Sequence, residues 1–218
     1  MSENLEVIVV DNGKEEILSD IESIPNLKIN VVKNAKRNTI KLWKPFKFGK
    51  NSEIIIRGLD CNIELKSTNL GADFYLLTGI NCHNQYIKIG EGVTAWKNLE
   101  IHVTDSNNCV TIGNDCMFSK NIKLWTSDGH AIIDINTNEV INCVNGDITI
   151  GNHVWIGSDV SIQKGVKIGQ NSIIGSGTIV TKSFSENVIV AGVPGKIIRK
   201  NVTWSRYSPS RYIEKFLK

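Results

Sequence analysis

Branched aliphatic residues recur at every sixth position through the segment IGNHVWIGSDVSIQKGVKIGQNSIIGSGTIV, at Ile150, Ile156, Ile162, Ile168, Ile174 and Val180. That period is neither the 3.6 of an α-helix nor the two of a strand. Small or branched residues stand four positions after each of the first five: Val154, Val160, Val166, Ser172 and Thr178. Glycine often follows the aliphatic, as in Ile150-Gly151, Ile156-Gly157, Ile168-Gly169 and Ile174-Gly175. Each hexad therefore reads as a short strand plus a turn, with one large and one smaller residue facing inward. Three hexads close a triangular coil, and coils stack at about 4.8 Å, the spacing of paired strands. In that register Ile150 lies under Ile168, Ile156 under Ile174 and Ile162 under Val180.

The same register runs upstream. Ile112, Phe118 and Leu124 make one coil, and Ile89, Ala95 and Ile101 make another. Before residue 89 the period blurs, although NTIKLW, SEIIIRG and CNIELK are strand-like segments bounded by turn residues. The pattern predicts an N-terminal flank over 1–38, a repeat domain over 39–190 and a return segment with a short helix over 191–218. The Gly-Val-Pro-Gly turn stops the last strand, and SPSRYIEKFLK reads as a short amphipathic helix capped by Ser208 or Ser210. Such a helix is expected to cover the open end of the solenoid. Two interruptions break the period. Twenty extra residues lie between Leu124 and Ile150, and five between Ile101 and Ile112. A long loop on a rigid scaffold is usually a binding or catalytic element. The larger excursion, 126–147, carries Asp128 and His130.

Composition narrows the setting. The chain has 218 residues, 41% of them apolar, which fits a folded globular protein rather than a disordered one. The start, MSENLEVIVVDNGKEE, is acidic and has no signal-peptide pattern, and no run approaches the ~20 apolar residues of a membrane span. Five cysteines without a CxxC pair argue against a disulfide framework or a zinc site. A cytoplasmic protein without integral membrane contact is expected. The net charge is only +3, yet Lys33, Lys36, Arg37, Lys41, Lys44, Lys47 and Lys50 follow one another with no acid between them. No nucleic-acid recognition motif accompanies this run, so it reads as a solvated basic face, one that would also attract an anionic sugar.

The hexads, the His-bearing loop, VWIG and AGVPGKIIR together resemble the hexapeptide-repeat acyltransferases over roughly residues 85–200. The resemblance implies an all-β fold: a left-handed parallel β-helix solenoid with a protruding catalytic loop and a short C-terminal helix. It further implies homotrimers, acetyl-CoA as the donor, and active sites in the clefts between neighbouring prisms. The local similarity runs to galactoside and maltose O-acetyltransferases and to capsule O-acetyltransferases that modify sialic acid. On that resemblance His130 is the general base and Trp155 the tryptophan of the WIG motif. Ser158, Ser176, Thr181, Lys182, Lys196 and Arg199 match positions along the CoA channel. Ser176 stands where alanine is common in the family. The sugar-recognition motif of the galactoside enzymes is not recognisable, which leaves the acceptor open.

The chemistry suits these residue types. A neutral imidazole can take a hydroxyl proton as the oxygen attacks a thioester, so no covalent enzyme intermediate is required. Asp128 could orient the ring or be simply solvated. His153, in a turn beside Trp155, reads as an outward polar residue. Cys143 shares the His130 loop and is a conceivable acyl nucleophile, but direct transfer needs none. Trp155 precedes an inward isoleucine, so its indole points out, into a trimer contact or the substrate channel. Lys182, Lys196 and Arg199 put positive charge at the coil end, where the phosphates of CoA would pair with them. No HxxxxH occurs, and no metal is expected. The reading is an acetyl-CoA-dependent O-acetyltransferase acting on a saccharide such as sialic acid or another capsule or lipopolysaccharide sugar. Its rivals are an N-acetyltransferase of a nucleotide-linked amino sugar, a xenobiotic acetyltransferase, and a non-catalytic ligand-binding solenoid.

Overall fold

A computed structural model of the chain describes residues 4–142 and 145–217. Its strands stack as the three faces of a prism. The first face carries Leu5–Asp11, Asn38–Trp43, Asn62–Leu65, Tyr86–Ile89, Cys109–Ile112, Ile148–Ile150 and Lys167–Ile168, paired in parallel in that order. The second carries Lys47–Phe48, Asn69–Ala72, Trp155–Ile156, Ile173–Ile174 and Val188–Ala191, and the third Leu27–Val31, Ser52–Ile56, Tyr75–Thr78, Ser161–Ile162 and Ile179–Val180. Two long strands, Thr94–Val103 and Met117–Trp125, turn the corner between these faces and serve both.

The hexads occupy the predicted register. Ile150 pairs with Ile168, Ile156 with Ile174 and Ile162 with Val180. Two layers down, Ile89 pairs with Ile112, Ala95 with Phe118 and Ile101 with Leu124. All these side chains are buried, as are Val154, Val160, Val166, Ser172 and Thr178. The two inward hydroxyls are satisfied locally, Ser172 Oγ donating to the Ser185 carbonyl and Thr178 Oγ1 to that of Gly175. The corners need left-handed backbone, which Asn, Asp and Gly accept most readily. Asn98, Asn121, Asp159 and Gly177 fill successive layers of one corner with φ between +53° and +73°. Asn98 Nδ2 donates to Asn121 Oδ1 (3.2 Å) and Asn121 Nδ2 to Asp159 Oδ1 (2.8 Å).

Three expectations change. Residues 5–31 are not a flank: Leu5–Asp11 pairs in parallel with Asn38–Trp43, and Leu27–Val31 with Ser52–Ile56, so they form the first coil. The hexad period fades upstream because those coils are wider. A shoulder between the third and first faces absorbs the extra residues, and there Leu59 bridges Lys36 and His83. The five-residue excess after Ile101 is one such shoulder. Helix α1 (Pro209–Phe216) does not cap the solenoid's end. The chain turns at Gly192–Gly195, returns as Lys196–Lys200 antiparallel to Val188–Ala191, then runs down the outside of the prism toward earlier coils. Ser208 occupies the N-cap position without a side-chain capping bond.

The basic run is partly neutralised by acids of neighbouring coils. Arg37 forks onto Asp60 (2.6 and 2.7 Å), Lys44 pairs with Asp11 (3.1 Å), and Lys41 meets Glu15. Among the described residues no helix is long and apolar enough to cross a membrane.

Candidate active site

The excursion after Trp125 is a hairpin with a fixed base. Ile133 bridges Val140, and the Ile141 N–H donates to the Ile132 carbonyl (2.9 Å). At the tip, Asp134 Oδ1 accepts from the backbone N–H groups of Asn136 and Thr137 (2.8 and 3.2 Å). At the base, Asn142 Nδ2 donates to Asp128 Oδ2 (2.8 Å) and to the His130 carbonyl (2.9 Å). Asn142 Oδ1 in turn accepts from the Ile132 N–H (2.9 Å). Lys164, from the turn of the next coil, reaches back to Asp128 Oδ2 (2.5 Å) and to the Asn142 carbonyl (2.8 Å). The Lys164 ammonium and the Asn142 amide hold the Asp128 carboxyl below the usual carboxylate range. Asp128 therefore fixes the path of the loop through Asn142 instead of bonding to the imidazole of His130.

His130 itself is exposed, beside a cavity of about 580 Å³ lined also by Asp128, Asn142, Lys164, Asn108 and Asn145. The volume falls in the range of small-molecule sites, about 300–1,000 Å³. Cys143 lies outside the described residues. Cys109 and Cys116 are pushed up to about 11, chiefly by burial, so their thiols stay protonated and poorly nucleophilic.

Trp155 sits elsewhere on the protomer. Its indole lies outside the second face, 37% exposed, with its ring centroid 6.1 Å from that of Trp204. Trp204 is held by a clasp. Its Nε1 donates to the His153 carbonyl (2.8 Å), and the two rings stack at 4.3 Å. His153 Nδ1 lies 2.7 Å from Asp115 Oδ2 and its Nε2 3.0 Å from the Trp204 carbonyl. Both partners are acceptors, so the ring fills both bonds only with a proton on each nitrogen. Arg206 completes the clasp, donating to Asp115 Oδ1 (2.8 Å), Thr94 Oγ1 (3.0 Å) and the carbonyls of Gly92 and Cys116. Burial opposes ionisation of Asp115, but the bonds from His153 and Arg206 outweigh it and hold the carboxyl below its ordinary range. His153 is thus a structural fastener and not an outward polar residue.

The positions matched to the CoA channel lie on later coils. The Ser158 N–H donates to Ser176 Oγ one layer on (3.1 Å). Thr181 and Lys182 follow Val180, the last aliphatic of the hexad run, with the Lys182 ammonium 5.9 Å from the centre of the Phe184 ring. Lys196 and Arg199 are exposed on the return strand. Among the described residues none of these three cations is ion-paired, which leaves them available to an anion. In one protomer Trp155 and the return strand that carries Lys196 and Arg199 lie on the second face, Lys182 stands in the corner between the third and first faces, and His130 lines a different cavity, whose lining does not include Trp155. Also among the described residues, no three His, Cys, Asp or Glu side chains converge as metal ligands would. Sequence reasoning missed Asn142, Lys164, Trp204 and Arg206. Only Lys164 gave a signal, as the first lysine or arginine after the loop.

Comparison with known proteins agrees with this architecture. Residues 147–182 match the family model for the bacterial transferase hexapeptide (six repeats). A polysialic acid O-acetyltransferase of Neisseria meningitidis is 34% identical over 192 residues, covering 83% of this chain and 86% of that one. A polysialic acid O-acetyltransferase of Escherichia coli O1:K1 / APEC is 45% identical over 125 residues, covering 57% of this chain but only 40% of that protein's length. The crystal structure of the polySia specific acetyltransferase NeuO superposes with a TM-score of 0.62 at 27% identity, covering 87% of this chain and 93% of that one. The chain belongs to the hexapeptide-repeat acyltransferase family. Its solenoid is the left-handed β-helix of that family, and its similarity extends nearly end to end to the meningococcal polysialic acid O-acetyltransferase.

Proposed function

We propose that this protein is an acetyl-CoA-dependent O-acetyltransferase whose acceptor is a hydroxyl of a sialic acid polymer or a related capsule sugar, and that it works as a cytoplasmic homotrimer. The observation that carries the reading is the fixed excursion at 126–142. An imidazole stands on a loop whose backbone is fastened by Asn142 and Lys164 beside a cavity of substrate size. A general base needs such fixed placement, because a displacement of about 1 Å can cost on the order of 10²-fold in rate.

In the proposed reaction the neutral His130 imidazole accepts the proton of the acceptor hydroxyl as its oxygen attacks the thioester carbonyl. The tetrahedral intermediate collapses, the carbon–sulfur bond breaks, and the imidazolium returns the proton to the CoA thiolate. The products are an acetyl ester and free CoA, and no atom of the enzyme is acylated. Ser158 and Ser176 would line the path of the donor, with Thr181, Lys182, Lys196 and Arg199 toward its phosphates. Separation of His130 from Trp155 within one protomer favours a site completed by a neighbour. So does the loop hairpin, whose Ile132, Ile133, Ile135, Val140 and Ile141 are all at least half exposed and lack a cover.

The test is CoA release from acetyl-CoA in the presence of sialic acid oligomers, neutral hexoses and nucleotide-linked amino sugars, followed by analysis of the product linkage. The proposal expects release with sialic acid oligomers and an alkali-labile ester. An amide on a nucleotide amino sugar would replace it with the N-acetyltransferase rival.

A further inference from the structure

A second cavity of about 510 Å³ opens between Trp155 and the C-terminal segment. Its walls are Trp155, Trp204, Tyr207 and Tyr212, and the side chains of Thr203 and Ser205 add hydroxyls. Trp155 and Tyr212 stay 37% and 39% exposed, so rings of two separate segments present open faces to one cleft. Trp204 is the fixed floor, held by His153 and Arg206. Two cations stand against Tyr207, one of the wall residues. The Arg211 guanidinium lies 5.4 Å and the Lys215 ammonium 4.8 Å from the centre of the Tyr207 ring, and Lys215 also donates to the Tyr207 hydroxyl (2.9 Å). No acid lines the cleft among the described residues, and Glu214 is the single acid in the sequence from 201 to 218.

We infer that this cleft is a binding subsite for an anionic saccharide, its sugar ring set between Trp155 and Tyr212 and its carboxylate facing Arg211 and Lys215. The inference rests on the acetyl-transfer reading for its choice of ligand, and on three observations for its place. Amphipathic aromatic rings offer the apolar face of a sugar a flat partner while leaving its hydroxyls wet. The uncompensated cations select a carboxylate over a neutral ring. The third is direction. The unpaired cations at Lys196 and Arg199 lie beyond Trp155 on the same face, toward the last coil. The C-terminal segment runs the opposite way, with Trp204 at the layer of His153 and Arg206 reaching Gly92 and Thr94 two layers earlier. Donor phosphates at the coil end leave the cleft on the other side of Trp155 for the acceptor.

The experiment titrates the intact protein, without acetyl-CoA, with a sialic acid oligomer and with a neutral glucose oligomer of equal length, read by tryptophan fluorescence. Tyr212→Ala and Arg211→Gln should each weaken binding of the sialic acid oligomer by about tenfold, the loss of one stacking face or one charge-assisted bond. Tyr212→Phe keeps the ring and should bind like the wild type, and acetyl-CoA affinity should be unchanged in all three. Unchanged oligomer binding in both Tyr212→Ala and Arg211→Gln overturns the subsite. So does a loss of acetyl-CoA affinity, which would make the cleft a donor wall, or a fall in assembly mass, which would make it a contact between copies. A wild type that binds the oligomer but never acetylates it removes the transfer reading and leaves the subsite standing. A wild type that acetylates it with a KM untouched by both variants does the reverse.

Discussion

Asp115→Asn keeps the shape of the side chain and the left-handed backbone at that corner, since Asn adopts φ of +54° as readily as Asp. It removes the charge that faces both His153 and Arg206. Hydrogen bonds to charged groups contribute about 1.5–3 kcal/mol when buried, whereas exposed ion pairs contribute about 0.2–1 kcal/mol. The Asp115 side chain is 51% exposed and that of Arg206 37%, which calls for the lower end. Two such bonds then contribute about 0.4–2 kcal/mol together. A solenoid opens piecewise from its edges, so the loss falls on docking of the C-terminal segment more than on global unfolding. The undocked fraction should rise about 2–30-fold. Limited trypsin cleavage after Arg206 and Arg211 reads that fraction directly when opening is fast. Acid should reproduce the variant. The depressed carboxyl of Asp115 contributes fully above the ordinary carboxylate pKa and loses its contribution as pH falls through its own lower value. Tryptophan fluorescence of the wild type should therefore show an acid transition that Asp115→Asn lacks. Cleavage of the variant at the wild-type rate would refute the clasp.

The remaining predictions follow the same geometry. Lys164→Met should free the loop base, lowering turnover by roughly tenfold and speeding amide exchange at 128–142, with little change in melting temperature. Arg199→Ala should raise the KM for acetyl-CoA by about three- to tenfold and leave that for the sugar unchanged. Trp155→Ala should raise the KM for donor or acceptor, whereas a variant with unchanged kinetics and unchanged assembly mass would remove the indole from the channel.

Hexads with one inward aliphatic leave little freedom, because each coil must bury the same column of side chains. For that reason the pairings of Ile150, Ile156 and Ile162 with the next layer were legible from spacing alone. The first coils were not, since a shoulder at each layer shifts the column of Leu42, Leu65 and Ile89 out of the hexad period. His130 was visible as a consequence of the interruption. Its anchors were not, because Asn142 and Lys164 act across 22 residues of chain through bonds that no periodicity encodes. The clasp joins Asp115 and Arg206, 91 residues apart, and turns on which way the chain runs after Gly195. A histidine in a turn beside Trp155 reads as an outward polar residue. Once the segment returns along the prism, the same histidine is a fastener.

His130 carries the proposed chemistry. Turnover of His130→Ala and of the wild type should be measured from pH 5 to 9 with a sialic acid oligomer as acceptor, alongside acetyl-CoA affinity. If the imidazole takes the acceptor's proton, turnover of the variant falls by about 10²–10⁴-fold while donor affinity barely moves. The wild-type rate declines toward acid, because a protonated ring accepts no proton, and the residual rate of the variant lacks that limb. Near-normal turnover with an intact acid limb in His130→Ala, together with a dead Cys143→Ala, would contradict direct transfer and put an acyl-cysteine in its place.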